Sequence, residues 1–140
     1  MDAETVTAKF TEQLQAAKAS AMARAFGWEF SLDTLVLYVA LRPRRRPKLA
    51  YLLRVGFDDF PRRAPSFVFV NTTLRQPDDA AWPLGVRHGA QPPGICTPGT
   101  REFHEHYHAG DAHYPWDPAR YPLLVPLHEI HRMMERGIGA

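Results

Sequence analysis

Cys96 is the only cysteine among the 140 residues, and a thiolate is the strongest nucleophile a side chain offers near neutral pH. One cysteine excludes an internal disulfide and any multi-cysteine zinc site. Two fates remain for it: a small apolar residue packed in a core, or a reactive thiol. Gly94 before it and Pro98-Gly99 after it describe a loop, a context that can leave the sulfur open to solvent. The second concentration of chemistry is histidine, with four of the seven at 104, 106, 108 and 113. The first three alternate, so an extended segment would set their imidazoles on one side. With His113 they could hold zinc, but the spacing matches no established zinc motif, and no metal is expected. One of these histidines, or Glu105 or Asp111, could instead take the proton of an incoming nucleophile.

The elements that would position these groups can be read from periodicity. Residues 2–25 form an expected amphipathic helix, capped by Asp2, with Val6, Phe10, Leu14, Ala17 and Ala21 on its apolar stripe and Gly27 as its stop. Trp28 to Leu41 reads as a strand, apolar on both faces from Leu35 onward. Arg42 to Lys48 is an expected solvated turn, its prolines and like charges unsuited to a core. Strands are expected over 49–57 and 66–71, separated by the turn Asp58-Asp59-Phe60-Pro61. Short connections make this an antiparallel meander of three or four strands. Periodicity fails from Thr72 to Pro122, and most of the thirteen prolines lie after position 60. Loops of that length within a compact domain usually carry function. A final helix is expected over 123–136, with Pro126 in its first turn, a Leu127, Ile130 and Met134 stripe, and Gly137 at its end.

The resulting class is α+β, one domain over residues 1–140. A hydrophobic fraction of 45% and a charged fraction of 23% are those of an ordinary globular protein, and a net charge of +2 gives no case for nucleic acid. No apolar run is long enough for a membrane span. Met1-Asp2-Ala3-Glu4 lacks the basic start and apolar stretch of a signal peptide, so a cytoplasmic location is the expectation.

This order of elements resembles the ubiquitin-conjugating (E2-like) fold, and the residues at its landmarks are similar too. Phe60-Pro61-Arg62-Arg63-Ala64-Pro65 before Phe67-Val68-Phe69-Val70 resembles the family's Tyr-Pro turn and Pro-rich approach to a strand. Gly94-Ile95-Cys96 resembles the segment with the family's catalytic cysteine, and Trp116-Asp117-Pro118-Ala119 the segment that opens the next helix. There are three departures. The family's His-Pro-Asn triplet is missing, with His88 standing eight residues before the cysteine in place of its Asn. The cysteine-to-tryptophan interval is long and holds the histidine-rich insert. Typical members also carry two more helices. Such minimal proteins resemble those of bacterial operons that also encode an E1-like enzyme, a ubiquitin-like protein and a deconjugating peptidase.

The resemblance implies an N-terminal helix, a meander of about four strands, a long active-site loop and a C-terminal helix. It implies Cys96 as the thioester nucleophile, with no cofactor, and His88 as a donor to the oxyanion that forms when an amine attacks. The insert would then fold over or beside the cysteine, with His106 and His113 supporting transfer. The first helix would dock the E1-like enzyme through a basic edge of Lys9, Lys18 and Arg24. Expected partners are that enzyme, the ubiquitin-like protein and a target protein, with neither nucleic acid nor membrane. Trp116 is expected to be a core anchor. Two competing readings use fewer landmarks: a non-catalytic E2-like binding module, and a metal-dependent enzyme built on the histidines.

Overall fold

A computed structural model describes residues 1–89 and 93–139. Asp2 accepts the Thr5 backbone N–H at 2.8 Å and starts helix α1, Ala3–Lys18. The expected single helix over 2–25 is in fact two. Ser20 turns the chain, its hydroxyl oxygen accepting the Ala23 N–H at 3.1 Å, and so caps a separate helix α2, Ala21–Phe26. A serine side chain competes for backbone partners inside a helix but satisfies them at its start, which explains the break. Gly27, at φ 68°, closes α2 as expected.

Four strands follow: β1 (Glu29–Asp33), β2 (Val36–Leu41), β3 (Tyr51–Gly56) and β4 (Ser66–Val70), an antiparallel sheet in sequence order. The residues expected as one strand over 28–41 form a hairpin instead. Asp33 pairs with Val36 across a two-residue loop, and Thr34 takes φ 53°, rare for a β-branched residue and therefore not announced by its type. The register aligns Leu37 with Val55, Val39 with Leu53, and those two with Phe67 and Phe69. One face of the sheet is thus wholly apolar. It packs with Val6, Phe10 and Leu14 of α1 and with Leu127, Ile130 and Met134 of α3 (Leu124–Gly139) in one core. Phe10 stacks on Phe57 at 4.0 Å between ring centres and meets Phe60 edge-on. The opposite face is only locally covered, where the Arg75 guanidinium lies 4.4 Å from the centre of the Tyr38 ring.

Two further expectations are corrected. The 42–48 turn is not wholly solvated: Pro43 is buried, and the Arg44 N–H donates to Glu135 of α3 at 2.9 Å. Glu135 also accepts from His131, whose other ring nitrogen accepts the Trp28 indole N–H at 3.0 Å, so a polar chain running from the surface inward ties this turn to the core. Gly137 does not end α3. The helix runs to Gly139, and a methyl group at position 137 would overlap the Leu84 carbonyl, so glycine serves close approach there. No helix among the described residues is long and apolar enough to cross a membrane.

Candidate functional site

The cysteine segment is held from below by its neighbours. Ile95 is fully buried in the core and Thr97 and Thr100 are buried beside it, so Cys96 between them is turned outward. The Thr100 hydroxyl lies 2.9 Å from the Thr97 carbonyl and 3.1 Å from that of Ile95, and accepts the Phe103 N–H at 3.2 Å. It both pins the loop and caps the helical stretch that follows. Gly99 takes φ 99°, and a side chain there would press on the Pro126 ring of α3 at 2.8 Å. The loop therefore lies directly against the first turn of α3.

Cys96 half-opens onto a cavity of about 460 Å³ between this loop, Met22 of α2, and Leu124, Val125, His128, Glu129 and Met133 of α3. The walls are mostly apolar. Burial pushes the thiol pKa above its ordinary value, because a thiolate loses hydration there and gains no cationic partner in exchange.

The histidine insert is helical, not extended. Residues 101–107 form a helical stretch whose Phe103–Tyr107 part is π-helical, closed by the His108 N–H on the Phe103 carbonyl at 2.8 Å. The alternating histidines consequently point in different directions. His104 is buried, its Nε2 accepting the Gly99 N–H at 2.9 Å and its Nδ1 donating to the Tyr114 carbonyl at 2.9 Å. The bond at Nε2 needs the neutral ring, and burial lowers the ring's pKa although the Tyr114 carbonyl works the other way. His108 stacks on Phe103 and bonds Asp111. His106 is exposed against Tyr107, with ring centres 5.1 Å apart. His113 is exposed in the 111–114 turn, joined through its backbone to Asp111 rather than to the cysteine segment. Among the described residues, no three His, Cys, Asp or Glu side chains converge as metal ligands.

The insert does lie beside the cysteine segment. His88 forms a two-way backbone bridge with Gly94 at 2.7 and 3.0 Å, which sets it two residues from Cys96 across a short ladder. Its exposed ring meets Tyr107 edge-on at 4.5 Å, and the Tyr107 hydroxyl donates to the His88 carbonyl at 2.9 Å. Any side chain at Gly94 would collide with that hydroxyl. Burial raises the Tyr107 pKa, with the Glu102 and Cys96 charges adding to the effect. His88 and Tyr107 are therefore drawn together beside the Cys96 segment, but neither they nor His106 nor His113 lines the cavity onto which the sulfur opens.

The loop between β3 and β4 holds the insert from the other side. Arg101 bonds Asp58 and the Ala64 carbonyl at 2.8 and 3.0 Å, Arg63 grips Glu105 with two bonds at 2.9 and 2.6 Å, and the Trp116 indole donates to the Pro61 carbonyl at 2.8 Å. Trp116 is an anchor, as expected. Arg63 holds the Glu105 carboxyl below the usual range, and the His113 N–H and His108 do the same for Asp111, which makes both weak bases. Glu102 is the exception: burial raises its pKa, while its oxygens accept from the Phe67 N–H at 3.0 Å and the Ser66 hydroxyl at 2.7 Å. Gln13 clamps α1 to the start of α3, donating to the Pro118 carbonyl at 3.0 Å and accepting the Leu123 N–H at 2.7 Å.

Lys9, Lys18 and Arg24 are exposed but do not form one edge. Nine residues rotate a helix by about 180° beyond whole turns, so Lys9 and Lys18 flank opposite sides of the α1 buried stripe. Arg24 belongs to α2 and donates to the Ala19 carbonyl at 2.9 Å. Tyr107 and His128 are site residues that sequence reading passed over. The signal for the first was a threonine cap, Thr100, ahead of Arg101-Glu102-Phe103; for the second it was helical spacing, His128 falling four residues after Leu124 on the face turned from the core stripe. No protein-family model matches the chain, and no curated protein matches it in sequence.

Proposed function

We propose that the chain is an E2-like carrier: Cys96 accepts a ubiquitin-like protein from an E1-like enzyme as a thioester and passes it to an amine of a target protein. The observation that carries this reading is the placing of the sole cysteine. It lies outward on a loop braced by buried Ile95, Thr97 and Thr100, facing a cavity, and follows a helix-and-meander body before a closing helix. That order, with Phe60-Pro61 and Trp116 joined by a hydrogen bond, supports a ubiquitin-conjugating-type fold.

The chemistry asks little of the thiol. The arriving acyl group is already a thioester, so exchange forms one C–S bond and breaks another of equal kind, and a thiol with a raised pKa still suffices. His88, beside Tyr107, is the candidate donor to the oxyanion, and His106 and His113 would support transfer only if the insert moves toward the thioester. Docking of the E1-like enzyme would use Lys9 on one flank of α1 or Lys18 on the other, with Arg24 contributing from α2.

Cys96→Ser tests the reading. With an E1-like enzyme, a ubiquitin-like protein and ATP, the variant should accumulate an oxyester that survives reductant, since an alkoxide leaves less readily than a thiolate. An adduct unchanged in both reductant sensitivity and lifetime would place the acyl group on another residue.

A further inference from the structure

We infer that His128 is the base that takes the proton from the attacking amine when the Cys96 thioester is discharged, an assignment that rests on the carrier reading above. His128 and Cys96 line the same cavity. His128 sits on the second turn of α3, two residues beyond the Pro126 ring against which the cysteine loop is packed. Neither of its ring nitrogens makes a hydrogen bond or an ion pair among the described residues. In that it differs from His104 and His131, whose two ring nitrogens are both engaged, and from His108, which is bonded to Asp111. An imidazole left unpaired in the wall of a nucleophile's cavity has its acceptor lone pair available for a substrate.

The other titratable groups there are poor competitors. Glu129 shares its carboxylate between Arg132 at 3.4 Å and Arg136 at 3.5 Å. Cys96 is acylated during the step, and α2 contributes only Met22 to the wall. His131, three residues along α3, is wholly buried with both ring nitrogens bonded. The amine nitrogen forms a bond to the thioester carbonyl carbon and passes one proton to His128. The C–S bond breaks, the Cys96 sulfur leaves with the bonding pair, and the imidazolium returns that proton to it. The products are an amide and a free thiol. Because burial disfavours the Cys96 thiolate, a proton at hand for the departing sulfur helps the collapse.

The test is single-turnover discharge of preformed Cys96 thioester to free lysine between pH 5.5 and about 9, counted per thioester and corrected for the fraction of free amine. The thioester is loaded from a glycine-ended peptide thioester. Wild type should show a corrected rate that rises with pH and then levels, as for a step that needs a basic group. His128→Gln should fall by about a hundredfold or more and lose that rise. His128→Ala should recover rate in proportion to added imidazole, which a merely structural role would not allow. Discharge within twofold of wild type at every pH in His128→Gln, or no imidazole response in His128→Ala, overturns the assignment while leaving the carrier reading intact. Failure of wild-type Cys96 to take up the acyl group at all overturns both.

Discussion

At Cys96, a half-buried sulfur with an apolar cavity beside it has a pKa held above the ordinary thiol value of 9.0. Less thiolate is therefore present at neutral pH than in a free peptide. Alkylation of Cys96 by iodoacetamide should be slower than that of a model thiol at pH 7, and its rate should reach half of its plateau at a higher pH than the model thiol's. A rate profile centred below the model thiol would mean that a cationic partner activates the sulfur. The cysteine itself was legible in the sequence, because it is unique and lies between glycines and a proline. Its surroundings were not, since Met22 and His128 reach it from elements 74 and 32 positions away along the chain. Periodicity locates His128 on a helix but does not say what that helix faces. The alternation of His104, His106 and His108 was misleading for a related reason. Two-residue spacing suggests a strand only where the backbone is extended, and Thr100 caps this backbone into a helical turn.

At the level of elements, α3 is packed so closely on the 84–85 loop that only glycine fits at position 137. Gly→Ala within a helix ordinarily stabilises by about 1 kcal/mol. Here the added methyl group meets a backbone carbonyl, and forcing extra volume into a packed contact costs about 1–3 kcal/mol. Gly137→Ala should therefore lower stability by roughly 1 kcal/mol, measured by urea denaturation, against the sign of the propensity scale. A more stable variant would show that the loop gives way freely. The amphipathic stripes of α1 and α3 and the runs of β3 and β4 were legible, because burial on one face imposes a period. The β1–β2 hairpin was hidden, since its turn uses Thr34-Leu35 where Asn-Gly would have signalled it. Likewise Ser20 is an ordinary helix residue by composition and becomes a cap only in context.

Across the whole molecule, two buried histidines couple stability to pH. His104 and His131 are both held neutral by burial, so their folded pKa values lie below the ordinary 6.5. The unfolded chain then binds more protons than the folded chain as pH falls below about 6.5, and stability declines with falling pH in that window. Their contribution is fully present above it. Denaturation midpoints should hold between pH 7 and 8 and fall from pH 6.5 toward 5. The slope should be shallower in His104→Gln, which removes one of the two titrating groups. An unchanged slope would mean that His104 titrates alike in both states. The α+β order was legible because each helix and strand carried its own signal. The assembly of loops around Cys96 was not, because polar contacts such as Arg63 to Glu105 and Gln13 to Leu123 join residues 42 and 110 positions apart. The proposed transfer turns on one atom, the Cys96 sulfur. Wild-type protein incubated with an E1-like enzyme, a ubiquitin-like protein and ATP, then digested and mapped by mass spectrometry without reductant, should carry the acyl group on Cys96. Reductant should release it, and Cys96→Ala should not form it. An adduct on a lysine or histidine that persists in Cys96→Ala would contradict a thioester carrier.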